Sequence, residues 1–203
     1  MIAIINYGMG NLGSVKRKLD RIGTPSIVTS DPDEIRSSQK LILPGVGHFA
    51  SAVNELKLRG LWDLLNSEVL TEKKPILGIC LGMQLMTGYS AEGNVRGFGW
   101  FDAKVVRFHV SDTLKYKIPH IGWNTIKIEK PDNLFNGLKF QTGFYFVHSY
   151  HIICKDPSDI LCFTEYEYPF ASGIQKDNIT GFQFHPEKSH DAGEELMKNF
   201  IKI

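Results

Sequence analysis

Residues 75–86 read PILGICLGMQLM. An apolar, β-branched run, PILGI, meets a helical pattern, LGMQLM, at a single cysteine, with Gly78 and Gly82 on either side. A short apolar strand leading directly into a helix is the repeating unit of a doubly wound α/β sheet. The glycines make this junction unusual. G-x-C-x-G has the form of a nucleophile elbow, a strained strand-to-helix turn whose neighbours must be small because larger side chains would strike adjacent backbone. The unpaired N–H groups that open the following helix favour a thiolate over a thiol. Cys80 is therefore the candidate nucleophile. A cysteine that merely filled the core would gain nothing from the two glycines.

Working outward, residues 2–5 (IAII), 26–29 (SIVT), 40–43 (KLIL) and 75–79 (PILGI) are short apolar runs bounded by Gly, Pro or Asn. They predict buried parallel strands. Val15, Leu19 and Ile22, then Val53, Leu56, Leu61, Leu64 and Leu65, recur at helical spacing between them. After Gly88 the segments AKVVRF, NTIKI, FYFVHSYHI, ILCFTEY, FASGI and ITGFQF predict a half richer in β-structure. A last helix is expected over roughly 192–201, with Leu196, Phe200 and Ile201 inward. No linker or repeat divides the chain, so residues 1–203 are read as a single α/β domain with a mostly parallel central sheet and extra antiparallel strands in the second half.

Composition narrows the function classes. Apolar residues make up 42% and charged residues 22%, and the formal charge of +1 points to neither nucleic acid nor membrane. The apolar start MIAIINYGMG is too short for a membrane span and has no basic leader, so it reads as a core strand. Cys80, Cys154 and Cys162 form an odd set without CxxC spacing, which fits a reducing cytoplasm.

In open α/β sheets ligands sit at the carboxyl ends of the parallel strands. Three segments lie there besides the cysteine elbow. NYGMGNLGS carries Gly8, Gly10 and Gly13 in GxGxxG spacing, with Asp31 or Asp33 after the next strand; this has the form of a dinucleotide fingerprint, but the pattern is short and common and the chain lacks a second nucleotide-binding half, so it reads first as a glycine turn packing helix against strand. LILPGVGHF ends in a turn, Pro44 to Gly47, able to present backbone N–H groups to an oxyanion. TGFQFHPEKS closes an apolar strand on His-Pro-Glu. In an extended chain His185 and Glu187 share a side, so the carboxylate can orient the imidazole while Pro186 keeps His185 out of a helix. Cys80, His185 and Glu187 thus have the types and placement of nucleophile, base and orienter. A metal site from Cys80, His148, His151 and His185 is the competing use of these residues, although HSYH lacks common ligand spacing.

PGVGHF, GICLGMQLM and QFHPEKS together resemble the three signature blocks of the class I glutamine amidotransferases, and the likeness runs from end to end of the chain. That resemblance implies the family's flavodoxin-like three-layer fold and hydrolysis of L-glutamine to glutamate and ammonia without metal or other cofactor. It implies Cys80 as nucleophile, His185 as proton shuttle and Glu187 as its orienter. Gln84, Glu92, Ser149 and Tyr150 would hold the substrate, and the backbone of Gly45, Val46, Gly47 and Leu81 would form the oxyanion hole. NYGMGNLGS, IPHIGWN and FYFVHSYH are similar more narrowly to the branch that passes ammonia to a (βα)8-barrel cyclase in histidine biosynthesis, which implies a heterodimer with Asn11, Trp123 and Lys188 facing the partner. In that branch the PGVG strand is thought to reorient when the cyclase binds its ligand. Ala91 departs from the acidic residue expected beside Glu92. GFGWFDAKVVRF, YFVHSYH and HPEKSHDAG also resemble a branch serving amination in surface-polysaccharide sugar synthesis; there the acceptor differs and the glutaminase step is shared. A non-catalytic scaffold that docks on a barrel protein, or a dinucleotide-binding protein, are the readings of another class.

Overall fold

A computed structural model describes residues 1–139 and 141–203. The four expected strands form as β1 (Ile2–Ile5), β2 (Ser26–Thr29), β3 (Lys40–Gly45) and β4 (Ile76–Cys80), all parallel in the order β2-β1-β3-β4. Between them run α1 (Leu12–Arg21), α2 (Pro32–Ser37), α3 (Phe49–Leu58) and α4 (Leu61–Asn66), and α5 (Leu81–Leu85) follows β4 directly. α2 is absent from the sequence reading. Its signal is Asp31-Pro32: the Asp31 carboxylate accepts from the N–H groups of Asp33 and Glu34 with proline at the first helical position. Asp31 therefore caps a helix, a role the fingerprint reading did not assign it.

The second half adds β5 (Thr87–Ser90), β6 (Phe101–Arg107), β7 (His120–Thr125), β8 (Lys127–Ile128), β9 (Gly143–His148), β10 (Tyr150–Cys154), β11 (Ile160–Tyr166), β12 (Tyr168–Lys176), β13 (Ile179–Phe182) and α6 (His190–Lys202). β13 joins β4 in parallel and extends the main sheet through antiparallel β12, β10 and β6, with β5 at the edge. β11 pairs with β12 and carries β8. β7 and β9 form a separate antiparallel ribbon.

Two sequence runs are cut where one strand was expected. NTIKI divides at Ile126, between β7 in the ribbon and β8 on the main sheet. FYFVHSYHI divides at Ser149, where the chain leaves the ribbon and enters the main sheet as β10. Alternation sees apolar residues on both sides of such a break and cannot tell one sheet from two.

Side chains along the parallel strands alternate between two cores, one on each face of the sheet. Ala3, Ile5, Leu41, Leu43 and Ile76 pack with α2, α3 and α4 through Ile35, Phe49, Val53, Leu56 and Leu65. Ile2, Ile4, Ile42, Leu77 and Ile79 pack with α1 and α6 through Val15, Leu19, Leu196 and Phe200. Helices on both faces of a mostly parallel sheet give three layers and leave the carboxyl ends of β1, β3, β4 and β13 along one rim.

Candidate active site

Cys80 is the last residue of β4 and the residue before α5. Its φ of +55° and ψ of −109° lie outside the regions that L-residues favour. The two glycines make the bend sterically feasible. A Cβ on Gly82 would sit 1.7 Å from the Leu43 carbonyl oxygen, so only glycine lets α5 ride this close over β3. A Cβ on Gly78 would lie 2.8 Å from the Met83 nitrogen and 2.9 Å from the Gly82 carbonyl carbon. The strand end and helix start are thus locked together, with the cysteine at the corner.

β13 runs beside β4, and three residues past its end comes His185, whose N–H bonds the Tyr145 carbonyl on β9 at 2.9 Å. His185 keeps extended angles (φ −102°, ψ 92°), as Pro186 requires. Glu187 reaches it by a different route from the extended chain expected: residues 186–188 form a 3₁₀ turn, which returns the carboxylate to His185 Nδ1 at 2.8 Å. Ser189 closes that turn by donating to the His185 carbonyl at 2.6 Å. Histidine and glutamate side chains are each only 2% exposed, so the bond is shielded from water.

His185 Nε2 is buried and has no hydrogen-bond partner among the described residues, leaving the ring nitrogen opposite Glu187 free for a reacting group. Burial alone would lower the His185 pKa; the negative charge of Cys80, the contact with its sulfur and the bond to Glu187 outweigh it and push the value up to about 10. This refines the sequence reading, in which His185 acts as a base. The imidazole therefore holds a proton at neutral pH that it can give to a leaving group.

Cys80 lies in a cleft of about 410 Å³ whose wall includes Val46, Gly47, Leu81, Gln84, Glu92, His148, Ser149, Tyr150 and Lys188. The structure therefore gathers the four residues expected to hold substrate around the nucleophile. Gln84, on the buried side of α5, donates from Nε2 to the Tyr150 carbonyl (3.1 Å) and to Gln183 Oε1 (2.9 Å). Glu92 accepts the Phe49 N–H at 2.8 Å, tying the cleft wall to the start of α3. Gly45 pairs with Cys80 across β3 and β4, and Gly47 takes φ +110°, so the PGVG turn borders the sulfur.

A chain of neutral histidines backs the Ser149–Tyr150 wall. His148 Nδ1 faces the Tyr150 carbonyl at 2.7 Å and must donate, so its Nε2 accepts from His120 Nδ1 at 3.1 Å. His120 Nε2 in turn lies 3.4 Å from the Asn124 amide nitrogen. Burial lowers His148 to about 3 and His120 to about 4 and also lowers His151. Both His148 nitrogens are spent inside the fold, and among the described residues no group of three or more His, Cys, Asp or Glu side chains is gathered.

The three residues expected to face a partner have other contacts here. Asn11 caps α1 by accepting the Ser14 N–H, Trp123 is 52% exposed and stacks on His190 with rings 4.9 Å apart, and Lys188 lies over the Tyr145 ring. In the first loop Gly10 packs its Cα side against Pro44 and Gly45, so the GxGxxG turn closes on the PGVG segment. Gln183 and Tyr7 escaped the sequence reading altogether. Gln183 Nε2 donates to Cys80 Sγ at 3.6 Å. The only signal for it is its place two residues before His185.

A cysteine held at a strand-to-helix corner, beside an imidazole oriented by glutamate and a two-glycine turn, is the arrangement of a thiol nucleophile with an oriented acid–base partner. The family model for class-I glutamine amidotransferases matches residues 3–203, and the chain belongs to that family. More particularly, it is 54% identical to imidazole glycerol phosphate synthase subunit HisH 2 of Methanococcus maripaludis over all of this chain and 99% of that one. It is 46% identical to the corresponding subunit HisH of Sulfurimonas denitrificans, covering 100% of this chain and 98% of that one. Among solved structures it resembles a glutamine amidotransferase (TM-score 0.74, 16% identity, 100% of this chain and 98% of that one) and PurLQS from Thermotoga maritima (TM-score 0.71, 14% identity, 99% and 97%); at these identities the likeness concerns the fold.

Proposed function

We propose that this chain, acting as one domain in the cytoplasm, is the glutaminase subunit of an imidazole glycerol phosphate synthase. In this reading it hydrolyses L-glutamine and hands the ammonia to a (βα)8-barrel cyclase, which forms imidazole glycerol phosphate in histidine biosynthesis. The observation that carries the chemistry is the buried Glu187–His185 bond, whose imidazole contacts the sulfur of Cys80 in the cleft wall. The observation that carries the acceptor is the full-length likeness to relatives of that name.

The glutamine carboxamide sits in the cleft with its α-groups toward Glu92, Ser149, Tyr150 and Gln84. The Cys80 thiolate attacks the amide carbon; the carbonyl electron pair moves onto oxygen, held by the N–H of Leu81 and an N–H of the Gly45–Val46–Gly47 turn. His185 gives its proton to the amide nitrogen, the C–N bond breaks and ammonia leaves a γ-glutamyl thioester. His185, now neutral, takes a proton from water as the water attacks, and collapse releases glutamate and restores the thiolate. No metal or cofactor enters these steps.

Asn11, Trp123 and Lys188 would meet the cyclase. With Ile121 at 59% and Val46 at 40% exposure, the ribbon and the PGVG turn present apolar surface suited to burial. A turn with glycines at 45 and 47 can rotate a peptide unit between presenting carbonyl and N–H, so the isolated chain is expected to be a slow glutaminase that accelerates on binding a ligand-loaded cyclase. The test is ammonia release from glutamine with and without purified cyclase. Partner-stimulated turnover that Cys80→Ala abolishes supports the proposal. Stimulation by a sugar-amination partner instead of the cyclase would reassign the acceptor, and ammonia release unchanged in Cys80→Ala would end the glutaminase reading.

A further inference from the structure

The cleft contains a hydrogen-bond relay with a fixed direction. Tyr150 offers a carbonyl, so the atom of Gln84 facing it at 3.1 Å must be the amide nitrogen. The second hydrogen of that nitrogen points at Gln183, 2.9 Å away, and needs an acceptor there. Gln183 must therefore present Oε1 to Gln84, which turns its own Nε2 toward Cys80 Sγ at 3.6 Å. Neither amide can flip without setting N–H against N–H or oxygen against oxygen. The Gln183 side chain is fully buried in the strand extension of β13, and its backbone N–H is held by the Ser172 carbonyl on β12 at 3.0 Å. It has no route to solvent as an alternative partner.

We propose that Gln183 is a catalytic residue of this site: its carboxamide N–H, aimed by Gln84 and Tyr150, holds the Cys80 sulfur as a thiolate and sets the sulfur's direction of attack. The inference rests on the glutaminase reading above for the identity of the reaction, and on the relay alone for the contact with sulfur. A donor on a charged sulfur in a water-poor site gives a stronger bond than one on a neutral thiol, so it favours the ionised form. His185 supplies the balancing positive charge from another side, which leaves Gln183 free to act as a neutral donor that takes no part in proton transfer. The same relay consumes both Gln84 N–H hydrogens, so Gln84 can offer a ligand only its Oε1. It therefore reads an N–H donor, such as the carboxamide or α-ammonium of glutamine, and has nothing to give a γ-carboxylate.

Two replacements of similar length separate the roles. Gln183→Met keeps the volume and removes both polar atoms. Gln183→Glu keeps an acceptor for Gln84 and turns an anionic oxygen toward the sulfur. The readouts are the iodoacetamide alkylation rate of Cys80 at pH 7 in the isolated chain, and kcat and KM for glutamine in the cyclase complex, with thermal melting as the measure of folding. A charge-assisted bond of this kind predicts alkylation of Gln183→Met slower by about 10-fold and kcat lower by about 10- to 100-fold, with a smaller change in KM. Gln183→Glu should be slower still in both, because a like charge faces the thiolate. Alkylation at the wild-type rate in Gln183→Glu overturns the proposal, as does wild-type kcat in a folded Gln183→Met. A fall in melting temperature with alkylation unchanged would mark Gln183 as structural only. Should wild-type protein alkylate normally yet release no ammonia from glutamine with any partner, the functional reading fails while the alkylation comparison still decides the sulfur contact.

Discussion

Glu187 and His185 form a pair whose worth lies in orientation. Glu187→Gln leaves the shape of the 3₁₀ turn and removes the charge that holds the imidazolium and its tautomer. The expected result is a loss of about 10³-fold in partner-stimulated kcat with little change in melting temperature, read from steady-state kinetics and a thermal scan. Tyr7 poses the opposite case. Its hydroxyl is fully buried with no hydrogen-bond partner among the described residues, and a Cβ on Gly45 would lie 2.5 Å from it. Burial first, and then the Cys80 charge, hold its pKa above the ordinary tyrosine value, so it stays a neutral phenol. A buried hydroxyl without a partner costs about 1–3 kcal/mol, so Tyr7→Phe is expected to stabilise the fold by about 1 kcal/mol in urea denaturation. A loss of stability would show that the hydroxyl has a partner in solution.

Among the elements, the junction of β4 and α5 is the most demanding. Gly82→Ala would drive a Cβ into the Leu43 carbonyl, and because the obstacle is backbone, relief requires moving β3 or α5. The expected cost is about 3 kcal/mol or more, with loss of Cys80 reactivity even where the variant folds; circular dichroism and thiol alkylation measure the two effects separately. This junction was readable from sequence because steric demand leaves a composition trace: two glycines around a cysteine. The parallel strands were readable for the same kind of reason, since Ile, Val and Leu runs between Gly and Pro have few other uses. The split at Ser149 was not readable, because pairing with a ribbon or with the main sheet depends on partners distant in the chain. The His185–Glu187 pair was legible from its i, i+2 spacing because an extended chain and the 3₁₀ turn that forms instead both bring those side chains together. Gln183 opens the QFHPEKS block, but its role was not legible there, since a single amide in an apolar strand gains meaning only when Gln84, 99 residues earlier, is placed beside it.

The whole molecule carries charge states that oppose each other with pH. His148 and His120 are depressed from 6.5 to about 3 and about 4, so the unfolded chain binds protons that the folded one refuses. Their contribution to stability is complete above pH 6.5 and is lost as pH falls toward 4 and 3. His185 is raised to about 10, so its contribution is complete below pH 6.5 and is lost as pH rises through 10. Melting temperature is therefore expected to fall on both sides of neutrality, with proton uptake on acid unfolding, and His120→Phe should flatten the acid limb; a flat profile from pH 7 to 5 would contradict the neutral histidine chain. On this scaffold the site forms where three strand ends and one ribbon converge, and its central claim is that Cys80 becomes covalently acylated by glutamine. The most direct measurement is intact mass of the chain, acid-quenched during turnover with its cyclase. One added γ-glutamyl group, localised to Cys80 and absent from Cys80→Ser when glutamine is supplied, is the predicted result; turnover with no adduct on Cys80, or an adduct on Cys154 or Cys162, would contradict it.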